Sequence, residues 1–187
     1  MNAQKPSRLR GIWILFFPIL GILMAIVTLT GFPMINTQAG ASAINGLVIG
    51  QLAPDFTART LEGPQIRLSD LKGSPVAISF WATWCVPCKT ELPELQSAAS
   101  RYSSVQVQIL TVNVGESESV VSSYLSELNL KLNVLLDPDK EIMSHYGIMV
   151  LPVTVWVDGK GVVRAEHIGP LDRSLIDRYV ADLTKIH

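Results

Sequence analysis

Pro75–Leu95 reads PVAISFWATWCVPCKTELPEL, and this stretch decides the fold. Its first half, Pro75–Ala82, is apolar and rich in β-formers, the pattern of a central strand buried on both faces. Its second half turns helical: within 86–103, Leu92, Leu95, Ala98, Ala99 and Tyr102 recur near helical spacing. Between the two halves stands Trp84-Cys85-Val86-Pro87-Cys88. Cys85 therefore falls at a helix N-terminus, where unpaired backbone N–H groups carry partial positive charge and stabilise a thiolate. A thiolate is the nucleophile of disulfide exchange. Cys88 comes about one turn later, where it can attack a mixed disulfide made on Cys85 and release the partner. Pro87 suits an early helical position and stiffens the turn. The smaller exposure expected for Cys88 predicts that Cys85 alkylates faster.

Other uses of the pair fit less well. A purely structural disulfide closing so short a loop gains little unfolded-state entropy. A zinc site needs two more ligands, and only His145, His167 and His187 are present as histidines. With two cysteines in the whole chain, a disulfide-rich scaffold, a four-cysteine zinc site and an iron–sulfur cluster are all excluded. No C-x-x-C-H occurs, since Lys89 follows Cys88, so covalent haem attachment is not indicated. No metal or cofactor is expected.

Beyond this stretch, strand and helix signals alternate. Phe56–Ala58 and Gln65–Leu68 read as short strands about a Glu62-Gly63 turn. Val105–Val114 reads as a second strong strand, and 117–128 as a helix that Ser117 or Ser119 caps. Asn133–Leu136 is a short strand, and Asp137 is placed to cap a helix starting at Pro138. Pro152–Val157 is a strand, Asp158-Gly159 a turn, and Gly161–His167 its hairpin partner. Asp172 caps a last helix to about residue 186. The pattern predicts an α/β fold, a central mixed sheet flanked by helices.

Charge is missing from one region. Charged residues make up only 17% of the chain, and none lies between Gly11 and Pro54. The apolar run 11–32, GIWILFFPILGILMAIVTLTGF, spans roughly 33 Å as a helix, about the hydrocarbon thickness of a bilayer. Lys5, Arg8 and Arg10 precede it and no basic residue follows before Arg59, so residues 1–10 are expected in the cytoplasm and the bulk of the chain outside. The expected layout is a transmembrane signal anchor at 11–33, a tether at 34–48 and one domain at 49–187. This layout predicts a single-pass cell-membrane protein with its cysteines on the extracytoplasmic side, where disulfides persist. A cleaved signal peptide is the rival, with Ala41-Ser42-Ala43 as its processing site. Without the three leading basic residues, 12 basic residues face 16 acidic ones, and the whole chain's net charge of -1 argues against a nucleic-acid binder relying on a broad basic surface.

FWATWCVPCKTELPEL resembles the active-site stretch of thioredoxin-fold proteins. The wider run APDFTARTLEGPQIRLSDLKGSPVAISFWATWCVPCKTELPEL is similar to the membrane-tethered TlpA/ResA branch of extracytoplasmic thiol–disulfide oxidoreductases. NVGESESVVSSYL resembles the central insertion of ResA-like members, and VLPVTVWVDGKGVVRAEHIG their cis-proline strand and hairpin. The match runs from about Ile49 to Ile186.

The resemblance implies a thioredoxin-like fold and roles for single residues. Cys85 would attack and Cys88 resolve. Pro152 would be a cis-proline facing the pair, with the Leu151 backbone open to a substrate strand and Trp84 and Pro87 beside it. Glu91 would handle protons between the thiols. Because Glu and Gln have similar helix propensity, Gln at 91 is expected to change stability little. Pro93 should kink the helix. Thioredoxin's buried aspartate, six residues before the first cysteine, is replaced here by Ser79, which puts general thioredoxin activity in doubt. Implied partners are disulfide-bearing client proteins, notably apocytochrome c, and a transmembrane thiol donor of the CcdA or DsbD kind. Two alternatives stay open: a tethered, non-enzymatic client-binding module, and a peroxiredoxin-like peroxidase. Ala82 stands where a peroxidase using Cys85 would have threonine.

Overall fold

The structure is a computed structural model that describes residues 46–185. The expected cytoplasmic segment, the membrane anchor at 11–33 and most of the tether lie outside the described residues. No helix among the described residues is long and apolar enough to cross a membrane.

The centre is a five-stranded mixed sheet in the order β5-β4-β3-β6-β7. The strands are β3 (Val76–Trp81), β4 (Gln108–Val114), β5 (Val134–Asp137), β6 (Val153–Val157) and β7 (Val163–Ile168). β4 runs parallel to β3 and β5, whereas β6 is antiparallel to both β3 and β7. β1 (Thr57–Arg59) and β2 (Gln65–Arg67) form a separate antiparallel pair. Gly63 adopts a left-handed φ of 112° in their turn, a conformation that costs glycine nothing.

β3 is buried at every position, as its unbroken apolar run predicts. Its side chains alternate between two cores. Ala77 and Trp81 join Trp156, Leu92 and Leu95 of α1 (Val86–Tyr102), Val121 of α2 (Glu118–Glu127) and Ile176 of α4 (Arg173–Thr184). Ile78 and Phe80 join Leu110, Val155, Phe56 and Tyr146 on the other face, where α3 (Glu141–His145) also packs. The expected α/β architecture is therefore present, and the C-terminal ends of β3 and β4 lie side by side.

Local boundaries differ where backbone bonding overrides pattern. Val105 is not in a strand. Ser103–Val105 form a 3₁₀ turn, Gln106 is left-handed, and β4 begins only at Gln108. The chain must reverse after α1 before it can pair with β3. Asp137 does cap a helix, but not one starting at Pro138. It ends β5, and its carboxylate accepts from the Ile142 and Met143 amides at 3.1 and 2.9 Å, so α3 begins at Glu141. Pairing of Val114 with Asp137 keeps the strand extended, and Pro138-Asp139 are used in the turn. Ser117 flanks α2, yet its hydroxyl bonds Ser119 at 3.1 Å instead of a backbone amide. Asp172 caps α4 through the Leu175 amide at 2.8 Å. α1 runs without interruption through Pro93.

Candidate active site

β3 ends at Trp81 and the chain turns through Ala82–Trp84, closed by a bond from the Cys85 amide to the Ala82 carbonyl at 3.2 Å. Cys85 is the N-cap of α1 with extended backbone, and Pro87 occupies the first helical turn. No acidic side chain lies in that turn, so nothing there offsets the dipole that favours a thiolate. Cys85 and Cys88 are joined as a disulfide, with their Cα atoms 5.3 Å apart. Exposure separates the two thiols little: Cys85 is 4% and Cys88 1% exposed. The expected accessibility difference is small in this oxidised state, because α1 packs both sulfurs toward the core. Trp84 and Val86 are instead the exposed residues, at 67% and 81%, while Trp81 is buried.

The Leu151–Pro152 peptide bond is cis. Val153 pairs with Phe80 across β6 and β3, so Pro152 sits level with the end of β3 from which Cys85 emerges. Leu151 packs against the core cluster that contains both cysteines. The Pro152 carbonyl accepts from the Gly169 amide at 2.9 Å, whereas Leu151 makes no backbone hydrogen bond among the described residues.

Glu91 lies on the buried face of α1 with Cys88, one turn further on, and is only 1% exposed. Its Oε1 accepts from the Ser79 hydroxyl at 3.0 Å and the Thr154 hydroxyl at 3.2 Å. Those two hydroxyls come from directly paired residues of β3 and β6. Oε2 has no hydrogen-bond partner. Burial pushes the carboxyl up to about 7, against the opposing pull of Ser79, Thr154 and the nearby Leu171 backbone. A group that titrates there can take or give a proton at neutral pH. Ser79, at the position where thioredoxin has its buried aspartate, thus supplies a hydroxyl to a carboxylate delivered from α1.

Thr154 was not singled out by the sequence. Its only signal is an isolated hydroxyl in an apolar strand, and its importance depends on strand register. Among the described residues no cluster of three or more His, Cys, Asp or Glu could hold a metal ion.

Comparison with known proteins points one way. A profile of the AhpC/TSA family matches residues 49–166. The thiol-disulfide oxidoreductase ResA of Bacillus subtilis (strain 168) is 34% identical over 161 residues, covering 86% of this chain and 88% of that protein. ResA of Geobacillus kaustophilus (strain HTA426) is 32% identical over 165 residues, covering 88% of this chain and 92% of its own. Among solved structures, a thiol:disulfide interchange protein DsbE from Chlorobium tepidum superposes with a TM-score of 0.69 at 27% identity, covering 74% of this chain and 99% of that one. StoA from Bacillus subtilis gives a TM-score of 0.62 at 30% identity, covering 70% of this chain and 98% of its own.

Proposed function

This chain belongs to the AhpC/TSA family as a ResA-like thiol–disulfide oxidoreductase with a thioredoxin-like fold, and from that premise we propose that it reduces disulfides of client proteins outside the cytoplasmic membrane. One observation carries the direction. A buried carboxylate stands on the same helix face as Cys88, and no cation lies between the cysteines. A pair becomes a strong oxidant when its thiolate form is stabilised. Here an ionised Glu91 opposes thiolate formation, which favours the disulfide and makes the reduced pair a reductant.

The reduced protein begins the cycle. A client segment lies along the open Leu151 backbone, with Trp84 and Pro87 beside it, as a strand added to an edge. The Cys85 thiolate attacks one sulfur of the client disulfide. That S–S bond breaks, a mixed disulfide forms, and the other client sulfur leaves as a thiolate and takes up a proton. Glu91 accepts the proton of Cys88, whose sulfur then attacks Cys85. The mixed disulfide breaks, the client departs with both cysteines reduced, and the proton held by Glu91 leaves with it. Two electrons have passed to the client, and the protein is left with the Cys85–Cys88 disulfide present in the structure. A dithiol donor restores it by the reverse exchange.

Apocytochrome c is the proposed client and a transmembrane CcdA- or DsbD-type protein the proposed donor, both resting on the ResA likeness. Residues 11–33 are proposed as the anchor that keeps the domain near that donor. Peroxidase activity finds no support at Ala82, which has no hydroxyl to offer a peroxide.

The reduction potential tests the direction. Equilibration against a thiol buffer should give a value near that of thioredoxin, about −270 mV or lower. A value near −120 mV, as for a strong oxidase, would reverse the proposal. Topology has its own check. Protease added outside the cytoplasmic membrane of spheroplasts should digest the Cys85 domain, which should otherwise sediment with membranes. A released protein starting at Ile44 would show a cleaved signal instead.

A further inference from the structure

Glu116 lies in the loop between β4 and α2, far in sequence from the cysteines, and nothing in the cycle above uses it. Gly115 before it is left-handed, with φ of 74°, and the chain then enters α2 at Glu118. The Glu116 carboxylate is half-buried and grips a single residue with both oxygens. Oε1 accepts from the Thr83 hydroxyl at 2.5 Å, and Oε2 accepts from the Thr83 backbone amide at 2.8 Å. Oε2 also accepts from Asn113 Nδ2 at 2.8 Å, which ties the group to the end of β4. Thr83 stands two residues before Cys85, inside the turn that ends β3 and starts α1.

We propose that Glu116 is a positioning residue for the attacking thiol: by clamping Thr83 it sets the turn that presents Cys85, and its charge opposes thiolate formation there. This rests on the reading of Cys85 as the attacking thiol. The clamp supplies an acceptor for a backbone amide that β3 no longer pairs and α1 does not yet pair. A charge-assisted bond to such an amide is among the stronger kinds. All the donors are neutral, and among the described residues no lysine or arginine pairs with Glu116. The charge is therefore felt nearby. The Tyr124 hydroxyl is pushed up first by burial, then by Glu116 and Glu127. The other charged groups on the elements meeting at this turn are Lys89, the buried Glu91, Glu94 and Arg101 on α1, Glu127 on α2, Glu118, which Arg59 of β1 pairs, and Lys140, whose side chain lies against Gly115 without pairing with Glu116.

The experiment compares the full chain with its E116Q, E116A and E118Q variants. It measures the pH dependence of Cys85 alkylation in the reduced state and the rate of client-disulfide reduction. Gln keeps an acceptor for the Thr83 amide and loses the charge, so its alkylation curve should move to lower pH by several tenths of a unit. Ala loses the clamp as well and should also reduce client several-fold more slowly. E118Q removes a charge already paired and should match wild type. Superimposable curves for E116Q and wild type overturn the proposal, as does an equal shift in E118Q. If E116A does not fold, the E116Q curve alone decides. If Cys85 is not the faster-alkylated cysteine even in wild type, it is the attacking-thiol reading that fails.

Discussion

Cys85→Ser reduces client-disulfide turnover to the uncatalysed background. The serine hydroxyl is not a nucleophile toward a disulfide near neutral pH, and Cys88, the one cysteine left in the chain, cannot both attack and resolve. The loss does not come from unfolding. Opening a loop this short forfeits only about 2 kcal/mol on the chain-entropy account, well within the typical stability of a domain. Serine is also a good N-cap at the position where Cys85 makes no side-chain cap bond. A cooperative melt lowered by only several degrees, together with background turnover, is the expected result. Substantial residual turnover would move the chemistry away from this pair.

Glu91→Gln has the second-largest effect, and it separates stability from chemistry. The Glu91 carboxyl titrates at about 7 in the fold against 4.5 in the unfolded reference, because burial penalises its charge. Its neutral form is thus the one the fold prefers. That contribution is complete below pH 4.5, declines as pH rises toward 7, and is gone above it. Gln stays neutral throughout, so the variant should be more stable than wild type at pH 8, by up to about 3 kcal/mol, and nearly equal at pH 4. This differs from the expectation, drawn from helix propensity alone, that stability would change little. That expectation treated position 91 as a helix surface, whereas the side chain lies between β3 and β6. Denaturant midpoints at the two pH values check it, and an equal difference at both would contradict it. The same change should slow release of the mixed disulfide near neutrality on the order of 10²-fold, the usual worth of a proton-transfer group. Glu94→Gln, on the same helix, should do neither.

What was legible in the sequence was the part that neighbouring residues specify. A buried strand running into C-x-x-C and a helix places Cys85 at a helix start without any tertiary information. The cis bond before Pro152 came from the resemblance, since the residues themselves read only as a strand entry, and the Leu151–Pro152 bond is cis. The supports of the site were not legible, because they depend on register and on loops meeting in space. Ser79 and Thr154 become partners only when β3 and β6 pair antiparallel. Thr83 and Glu116 are brought together because parallel β3 and β4 end side by side. Val105 misled because an apolar residue after a helix reads as strand, although the chain there is still turning. Asp137 misled because a proline followed it, while β-pairing held the aspartate in the sheet and moved the helix three residues on.

The central claim is that Cys85 attacks and Cys88 resolves, and one measurement reaches it most directly. Reduced full-length Cys88→Ser and Cys85→Ser proteins are each mixed with a synthetic peptide carrying an intramolecular Cys-x-x-Cys-His disulfide. The products are then weighed without reductant. Cys88→Ser should gain the mass of one peptide, with the link mapping to Cys85, because the attack proceeds and the release cannot. Cys85→Ser should remain unmodified on the same timescale. An adduct forming equally fast on Cys88 in the Cys85→Ser protein, or no adduct in either, would contradict the account.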